Sequence, residues 1–278
     1  MTVAIVTDSA AALPADLVSR HQVTVVPMRL VVGDESVLEG ERDIDELLAA
    51  DQVSTSGPNP AEFEDAIRSV LTDDGVLVLT IAASMSSTYQ AAVVAARAVG
   101  DDVRVVDTLT AAGAEALVVL AAAGAAADGA TLDEVEVVAK QVIEQVRLIA
   151  TVPSLDHLVR SGRVPNIAGW AGRRLGINPL FEFGGGKVRP LRPALSYDAA
   201  FERIVGQFRR SEPSGARAHV VALHAAAPDA ASSLLARVEE QVTPASAFVG
   251  EFGPVMVVHT GPGLVGLAWW WEEDAPGR

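Results

Sequence analysis

The stretch GVLVLTIAASMSSTYQAAVVAARAV, residues 75–99, says most about the fold of this chain. Within it, Val76–Ile81 is an apolar, β-branched run with the length of a buried strand. A helical pattern runs from about Ser87 to Val99, and the junction Ser84–Tyr89 is rich in hydroxyl groups. A buried strand that leads into a helix in this way is typical of a parallel sheet covered by helices on both faces.

The same alternation of strands and helices continues on both sides of this stretch. The further predicted strands are Val3–Val6, Val23–Val32 and Val103–Asp107, and the further predicted helices are Pro14–Arg20, a segment after Asp43, Pro60–Leu71, Ala111–Ala127 and a segment from Thr131 to about Arg147. The spacings Asn59 to Glu62 and Thr131 to Glu134 are those of capping boxes at helix starts. We therefore predict an α/β fold, with an N-terminal, parallel-sheet, Rossmann-like domain over residues 1–150.

The second half of the chain mixes strands and helices without this regular alternation. The predicted strands are Leu148–Val152, Asn178–Phe183, Lys187–Leu191, His219–His224, Ala247–Gly250, Val255–Val258 and Leu264–Trp271, and the predicted helices are Leu155–Arg160, Tyr197–Arg210 and Asp229–Val242. The glycines at 184–186 predict a hairpin, and the whole pattern indicates an α+β domain over residues 151–278. Alternation along the last strand places Trp269 and Trp271 on one face and Trp270 on the other, in core packing or a subunit contact.

Composition excludes several classes of function. The chain has 278 residues, with 21 Lys+Arg and 36 Asp+Glu, so its formal net charge is −15. This excess of acid gives no field that attracts phosphodiesters, so we expect no nucleic-acid partner. The absence of cysteine excludes disulfides, thiolate catalysis and cysteine-ligated metals. None of the five His stands at ligand spacing, so no metal site is predicted. We also expect no cofactor.

The chain shows no sequence signal for secretion or for a membrane span. Residues 1–9 lack a basic region followed by an apolar core. The most apolar stretch, Ala111–Ala127, contains Glu115 and is shorter than the ~20 residues that a transmembrane helix needs. We expect a cytoplasmic protein that has at most transient contact with a membrane surface.

Two hydroxyl-rich turns are candidates for anion binding. Ser86, Ser87 and Thr88 stand where a strand meets a helix, and a helix start at the carboxyl end of a parallel strand offers unpaired N–H groups to an anion. The segment Thr55–Pro60 is a second turn of this kind. Both also suit ordinary helix capping, for which Ser, Thr and Asn are the usual residues.

Three single residues are further candidates for a role in ligand binding or in capping a turn. His259 precedes the turn Gly261–Gly263, where a ligand can approach the backbone closely and the imidazole can donate to a carboxylate. Arg163 either contacts an anion or is solvated, and we expect Asp8 to cap the turn after the first strand. The motifs of nucleotide-binding loops, nucleophile elbows and zinc proteases are missing. The interpretation that remains is an anionic head bound by neutral donors, with an apolar body buried behind it.

Six segments resemble, in this order, the DegV family of bacterial fatty-acid-binding proteins. They are Val3–Ser9, Val25–Met28, Thr55–Pro58, Ser86–Gln90, Gly162–Val164 and His259–Gly263. Each segment alone is short, but the ordered set extends over nearly the whole chain. The resemblance implies a two-domain α/β protein that holds one fatty acid in a closed tunnel between its domains and has no catalytic residue of its own.

The resemblance also implies roles for particular residues and a partner. The residues that it assigns to the fatty acid carboxylate are Thr55, Ser86, Ser87 and His259, and those that it assigns to the head group or a partner are Ser56, Arg163 and Gly261. Family members act as the lipid-presenting subunit of a fatty acid kinase. In that system, a separate dihydroxyacetone-kinase-like protein phosphorylates the bound carboxylate to an acyl phosphate.

The chain departs from the family pattern in three places. Gly57 stands where the family usually has Gln, and Ser87 where it usually has Gly. The segment Pro193–Asp198 lacks the basic cluster that members often carry, and Arg163, Arg189 and Arg192 are the candidates to replace it.

Two alternative functions stay open at this stage. One is a lipid sensor or carrier that has no kinase partner. The other is a hydrolase or phosphotransferase that uses Asp8, Ser86 and His259, which requires these three groups within hydrogen-bond reach of one another.

Overall fold

The computed structural model describes residues 2–33, 35–42, 46–47, 53–164 and 177–273. The strands in these residues are β1 (Ala4–Asp8), β2 (Thr24–Val26), β3 (Arg29–Val32), β4 (Glu35–Leu38), β5 (Val53–Ser56), β6 (Val76–Thr80), β7 (Val103–Asp107), β8 (Arg147–Thr151), β9 (Asn178–Gly184), β10 (Lys187–Ala194), β11 (Arg217–His224), β12 (Ser246–Glu251) and β13 (Val265–Glu272). The helices are α1 (Ala15–Arg20), α2 (Pro60–Val70), α3 (Thr88–Val99), α4 (Ala112–Ala127), α5 (Leu132–Gln145), α6 (Asp156–Ser161), α7 (Tyr197–Arg210), α8 (Pro228–Glu239) and α9 (Pro254–Thr260).

The first sheet is parallel, with the strand order β2-β1-β6-β7. Helices α2 and α3 pack on one face, where Phe63 and Ile67 are fully buried. Helices α4 and α5 cover the other face. The predicted capping boxes begin α2 at Asn59 and α5 at Thr131, with both reciprocal hydrogen bonds formed in each. The predicted α/β layers of the first half are therefore confirmed.

The second sheet is mixed and has the strand order β10-β9-β8-β13-β11-β12. Only the β11–β12 pair is parallel, and β9 and β10 form the predicted hairpin. Helices α7 and α8 pack on one face of this sheet. The mixed architecture of the second half is confirmed. Residue 150 lies inside β8, in the second sheet, and a division of the chain at that point stays a prediction.

Helix α4 lies between the first and second sheets. It contacts β1 and β6 on one side and β11 and β13 on the other, which confirms the predicted buried, Ala-rich helix. Small side chains make this close approach possible, since a Cβ at Gly113 would lie 2.8 Å from Cγ1 of Val221. Among the described residues, no helix is both long enough and apolar enough to cross a membrane.

The predicted single strand Val23–Val32 is wrong. The chain divides at Pro27 and Met28 into β2, in the first sheet, and β3, which pairs with β4 and β5 in a third, antiparallel sheet. Pro27 has no N–H for a strand ladder, and the Met28 N–H donates to Oγ of Ser9 at 3.0 Å. The predicted helix after Asp43 falls mainly on positions 43–45 and 48–52, which lie outside the described residues.

The predicted strand Val255–Val258 is also wrong, because these residues belong to helix α9. Its β-branched residues suit a strand in isolation. Pro254 stands in the first turn, where a missing N–H costs nothing, and Val255 and Val257 are buried against the rest of the protein. Tertiary packing therefore overrides the local preference.

The tryptophans alternate as predicted. Trp269 and Trp271 lie in the core beside α7, and both indole N–H groups donate to Oγ of Ser211, at 2.9 and 3.0 Å. Trp270 faces the other way and stacks on His219, with 4.8 Å between ring centroids. The triplet contributes to core packing, the first of the two roles expected for it.

Candidate functional site

A cavity of about 390 Å³ lies where the three sheets approach one another. Its walls come from the third sheet, from the loop after β6, from the start of α4, from the second sheet, and from α6 and α9. The carboxyl ends of parallel strands are the usual place for a ligand in an α/β sheet. The volume is within the range of small-molecule sites, about 300–1,000 Å³.

The lining divides into polar and apolar parts. The polar side chains are Thr55, Ser56, Ser86, Ser87, Ser161, Arg163, His259 and Thr260. The apolar side chains include Met28, Ile81, Met85, Leu148, Leu158, Val164, Phe181, Phe183, Val188, Leu223, Phe252, Val255, Met256 and Leu264. No carboxylate occurs among the described lining residues, so the polar part is suited to a negatively charged group and not to a cation.

Three polar side chains from distant parts of the chain form one hydrogen-bonded row. Nε2 of His259 lies 2.6 Å from Oγ1 of Thr55, and Nδ1 of His259 lies 3.4 Å from Nη1 of Arg163. Because a guanidinium can only donate, Nδ1 must be the acceptor and the imidazole proton is on Nε2. The Nε2–H group then donates to Thr55. The Thr55 hydroxyl thus has its own proton to donate into the cavity.

The electrostatics of this row favour an anion. Burial, together with the neighbouring Arg163, lowers the pKa of His259 from 6.5 to about 4, so the imidazole is neutral at pH 7. Burial also lowers the pKa of Arg163. A guanidinium nevertheless stays charged in a protein. The row therefore carries one positive charge, which no carboxylate of the described cavity lining balances.

The hydroxyl groups at the start of α3 lie beside this row. Oγ of Ser86 is 2.8 Å from Oγ1 of Thr88, and a Cβ at Gly57 would lie 2.6 Å from Oγ1 of Thr88 and 3.2 Å from Oγ of Ser86. Gly57 follows Thr55 by two residues, so the Thr55 turn packs directly on the start of α3. Ser87 is the N-cap residue of α3. Within the part of the chain that the structure describes, its side chain makes no capping hydrogen bond, and it lines the cavity.

Six of the seven predicted site residues line the cavity together: Thr55, Ser56, Ser86, Ser87, Arg163 and His259. Gly261 does not line it. Gly261 ends α9 with a φ of +76°, and it packs on His157, whose Cδ2 would be 2.6 Å from a Cβ at this position. The role that the structure shows for Gly261 is to terminate the helix that carries His259.

The structure does not bring together the three groups of the hydrolase alternative. Asp8 is buried and caps the turn after β1, with its carboxylate accepting from the N–H groups of Ala10 at 3.0 Å and Ile81 at 2.9 Å. Burial raises its pKa to about 7. Ser86 is bonded to Thr88 and His259 to Thr55, so no hydrogen bond among these described residues links Asp8, Ser86 and His259.

Part of the apolar wall was missed by the sequence analysis. Phe181 and Phe183 project from β9 into the cavity, and Val188 of β10 lines it too. The i, i+2 spacing of the two phenylalanines, which puts them on the same face of a strand, was the available signal. Ser161 and Thr260 had no such signal, because each is a single hydroxyl residue at a helix end.

Comparison with known proteins identifies the family. The family model described as "Uncharacterised protein, DegV family" matches residues 2–272. The chain belongs to the DegV family. Among DegV relatives, a DegV domain-containing protein of Streptomyces coelicolor is 38% identical over 273 residues, covering 95% of this chain and 97% of the relative. A fatty acid-binding protein of Thermotoga maritima is 29% identical over 282 residues, covering 96% of this chain and 97% of the relative.

Solved DegV structures share the whole fold. A DegV family protein from Thermus thermophilus, reported for its fatty acid binding, has a TM-score of 0.90 and 29% identity, and the match covers 98% of this chain and 100% of that one. A DegV lipid-binding protein from Thermotoga maritima has a TM-score of 0.86 and 28% identity, with 99% and 100% covered. The two-domain α/β architecture expected for this DegV protein is thereby confirmed.

Proposed function

We propose that this DegV protein binds one long-chain fatty acid in the cavity and presents its carboxylate to a separate fatty acid kinase. The observation that carries the binding proposal is the composition of the cavity wall. Its polar part offers donors and one guanidinium without a carboxylate among the described lining residues, and most of the remainder is apolar. The two DegV structures described above, reported as fatty acid binding and lipid binding, support it.

The carboxylate would lie against the row of Arg163, His259 and Thr55, with Ser86 and Ser87 at the start of α3. The Thr55 hydroxyl is left with a proton to donate, and Arg163 supplies the positive charge. Each hydrogen bond to a charged group contributes about 1.5–3 kcal/mol net. Such bonds orient the head group more than they determine the affinity.

The alkyl chain would supply most of the affinity. About 15 methylenes at ~0.8 kcal/mol each amount to roughly 12 kcal/mol before the costs of ordering and association. Phe181, Phe183 and Leu223 belong to the wall that such a chain would contact. The site binds without chemistry of its own, since the phosphoryl transfer belongs to the partner.

Binding is tested with delipidated protein and a fluorescent fatty acid. Arg163→Met should weaken binding about 10- to 100-fold, the loss expected for one charged hydrogen bond. Arg160→Met, three residues earlier in α6, is the matched control, because Arg160 is exposed and lies outside the cavity. A fatty alcohol of equal length should bind the wild type more weakly than the acid. Arg163→Met should no longer discriminate between the two.

Two results would refute the binding proposal. One is the absence of any fatty acid from the purified protein, by native mass spectrometry or solvent extraction, together with no uptake of added acid. The other is equal binding of acid and alcohol by the wild type, which would leave the polar part of the cavity without a role in recognition.

The kinase partnership is tested separately. The loaded protein is incubated with ATP and a dihydroxyacetone-kinase-like protein from the same organism, and acyl phosphate is measured. Formation of acyl phosphate supports presentation to a kinase. Its absence with fully loaded protein supports the alternative, a lipid carrier or sensor without a kinase. The exposed Arg189 and Arg192 on the edge strand β10 are the basic residues to vary in this assay, because Pro193–Asp198 has none.

A further inference from the structure

A partly buried carboxylate joins three segments of the protein beside the cavity. Glu39 follows β4 directly, and its Oε1 accepts from the N–H of Val255 in the first turn of α9 at 2.9 Å. Its other oxygen, Oε2, accepts from the hydroxyl of Ser9, and Oγ of Ser9 in turn accepts from the N–H of Met28 at 3.0 Å. Burial raises the pKa of Glu39, while the Ser9 and Val255 hydrogen bonds act against this rise.

Helix α9 is thereby attached to the third sheet at both of its ends. Glu39 binds its first turn, and Thr55 of β5 binds His259 in its last turn. Strand pairing links the two contacts on the sheet side, because Leu38 and Ser56, the neighbours of Glu39 and Thr55, both pair with Arg29 of β3. On the helix side, Val255 and His259 are four residues apart, about one helical turn or ~6 Å.

This attachment matters because α9 is short. A helix of seven residues has little stability of its own, so its position depends on tertiary contacts. The N–H of Val255 is one of the first-turn donors that no helix can satisfy internally. Glu39 supplies that missing acceptor.

The packing at Gly253 shows that the Glu39 carboxylate occupies space that a larger residue at position 253 would fill. A Cβ on Gly253 would collide with Oε1 of Glu39 and lie 2.7 Å from its Cδ. The φ of Gly253 is −65°, which any residue can adopt. Backbone conformation therefore does not require glycine here, whereas room for the Glu39 carboxylate does.

We propose that Glu39 is a positioning residue of the head-group site: by holding the first turn of α9 to the third sheet, it sets the position of His259 against Thr55. This inference rests on the proposed function, since it concerns the site to which the fatty acid carboxylate would bind. Glu39 itself does not line the cavity.

The test compares Glu39→Ala with the wild type in two measurements. The first is fatty acid affinity, which should fall about tenfold. This is the lower end of the roughly 10- to 100-fold losses typical of metal sites when a residue that orients a ligand is removed. The second is NMR titration of the His259 imidazole in delipidated protein. The depressed pKa of His259 should move upward towards its ordinary value of 6.5 when α9 loosens and water reaches the ring.

Glu134→Ala is the matched control. Glu134 also accepts from a backbone N–H next to a helix start, that of Thr131 at 2.9 Å, but this capping box is on α5 and lies outside the cavity. Its loss should lower the melting temperature and leave both the affinity and the His259 titration unchanged. A lowered melting temperature alone therefore does not explain the effect expected for Glu39.

The single variant Gly253→Ala keeps the inference testable if Glu39→Ala is poorly folded, and it completes a double-mutant cycle if Glu39→Ala folds. Gly253→Ala should displace the carboxylate and reproduce the weaker binding and the shifted His259 titration. In the Glu39→Ala background, the same change should have little further effect, because the carboxylate with which its Cβ collides is gone. Glu39→Gln, which retains Oε1 as an acceptor for Val255, should lie between wild type and Glu39→Ala.

Two results would overturn the inference. One is wild-type affinity and an unchanged His259 titration in Glu39→Ala. The other is full additivity of the Gly253→Ala and Glu39→Ala effects. Failure of the proposed function has a different signature, because wild-type protein would then bind no fatty acid, while the His259 titration would still report whether Glu39 positions the ring.

Discussion

The depressed pKa of His259 predicts a specific dependence of stability on pH. In the folded protein the imidazole stays neutral down to about pH 4, whereas in the unfolded chain it binds a proton below about 6.5. The unfolded state therefore binds more protons between these values, and folding stability is lost as the pH falls through this window. The full loss, for a pKa difference of about 2.5 at ~1.4 kcal/mol per pH unit, is about 3.5 kcal/mol.

The perturbation that isolates this effect is His259→Gln, which removes the titrating group and retains a donor for Thr55. Other groups act in the opposite direction. Burial raises the pKa of Asp8 to about 7, so protonation of Asp8 stabilises the fold as the pH falls from 7. The pH profile of the wild type alone is therefore a sum of opposing contributions. The difference between wild type and variant removes those that they share.

The assay is urea unfolding of delipidated wild type and His259→Gln at pH 7.5 and pH 5.0. Lipid has to be removed, because a bound carboxylate would change the pKa of the ring. Between these two pH values, the wild type should lose about 2 kcal/mol of unfolding free energy relative to the variant. An equal difference between the two proteins at both pH values would refute the claim that folding holds His259 neutral.

Three further substitutions test the packing described above. Ser211→Ala leaves two indole N–H groups without their acceptor and should lower the unfolding free energy by about 2 kcal/mol in urea titration, with fatty acid affinity unchanged. Gly57→Ala places a Cβ 2.6 Å from Oγ1 of Thr88, so it should weaken fatty acid binding, measured by displacement of a fluorescent acid; unchanged binding would contradict the packing of this turn on α3. Gly113→Ala overpacks α4 against Val221 and should lower the unfolding free energy by about 1–3 kcal/mol. A melting temperature equal to that of the wild type would contradict this, because it would show that α4 and the second sheet can move apart here without cost.

Much of the fold was predictable because it depends on local patterns. The alternation around residues 75–99, the capping boxes at Asn59 and Thr131, and the hairpin at 184–186 are each encoded within a few neighbouring residues. The two strands that were predicted wrongly show the limit of prediction from local patterns. A β-branched run has the same composition in a strand and in a short buried helix, and what decides for Val255–Val258 is packing and a capping contact from Glu39, 216 residues away.

The sequence by itself determined which side chains were available: hydroxyls at two turns, a histidine before a Gly-Pro-Gly turn, an arginine, and a surplus of aliphatic residues. Only the tertiary structure decided that Thr55 and His259, 204 positions apart, share a hydrogen bond, while the Asp8 carboxylate accepts from the N–H of Ile81. It also decided the protonation of the ring, because burial and the contact with Arg163 make neutral, Nε2-protonated imidazole the stable form. The physical reason is that desolvation and long-range hydrogen bonds arise only when the sheets pack together, and no local pattern of residues encodes them.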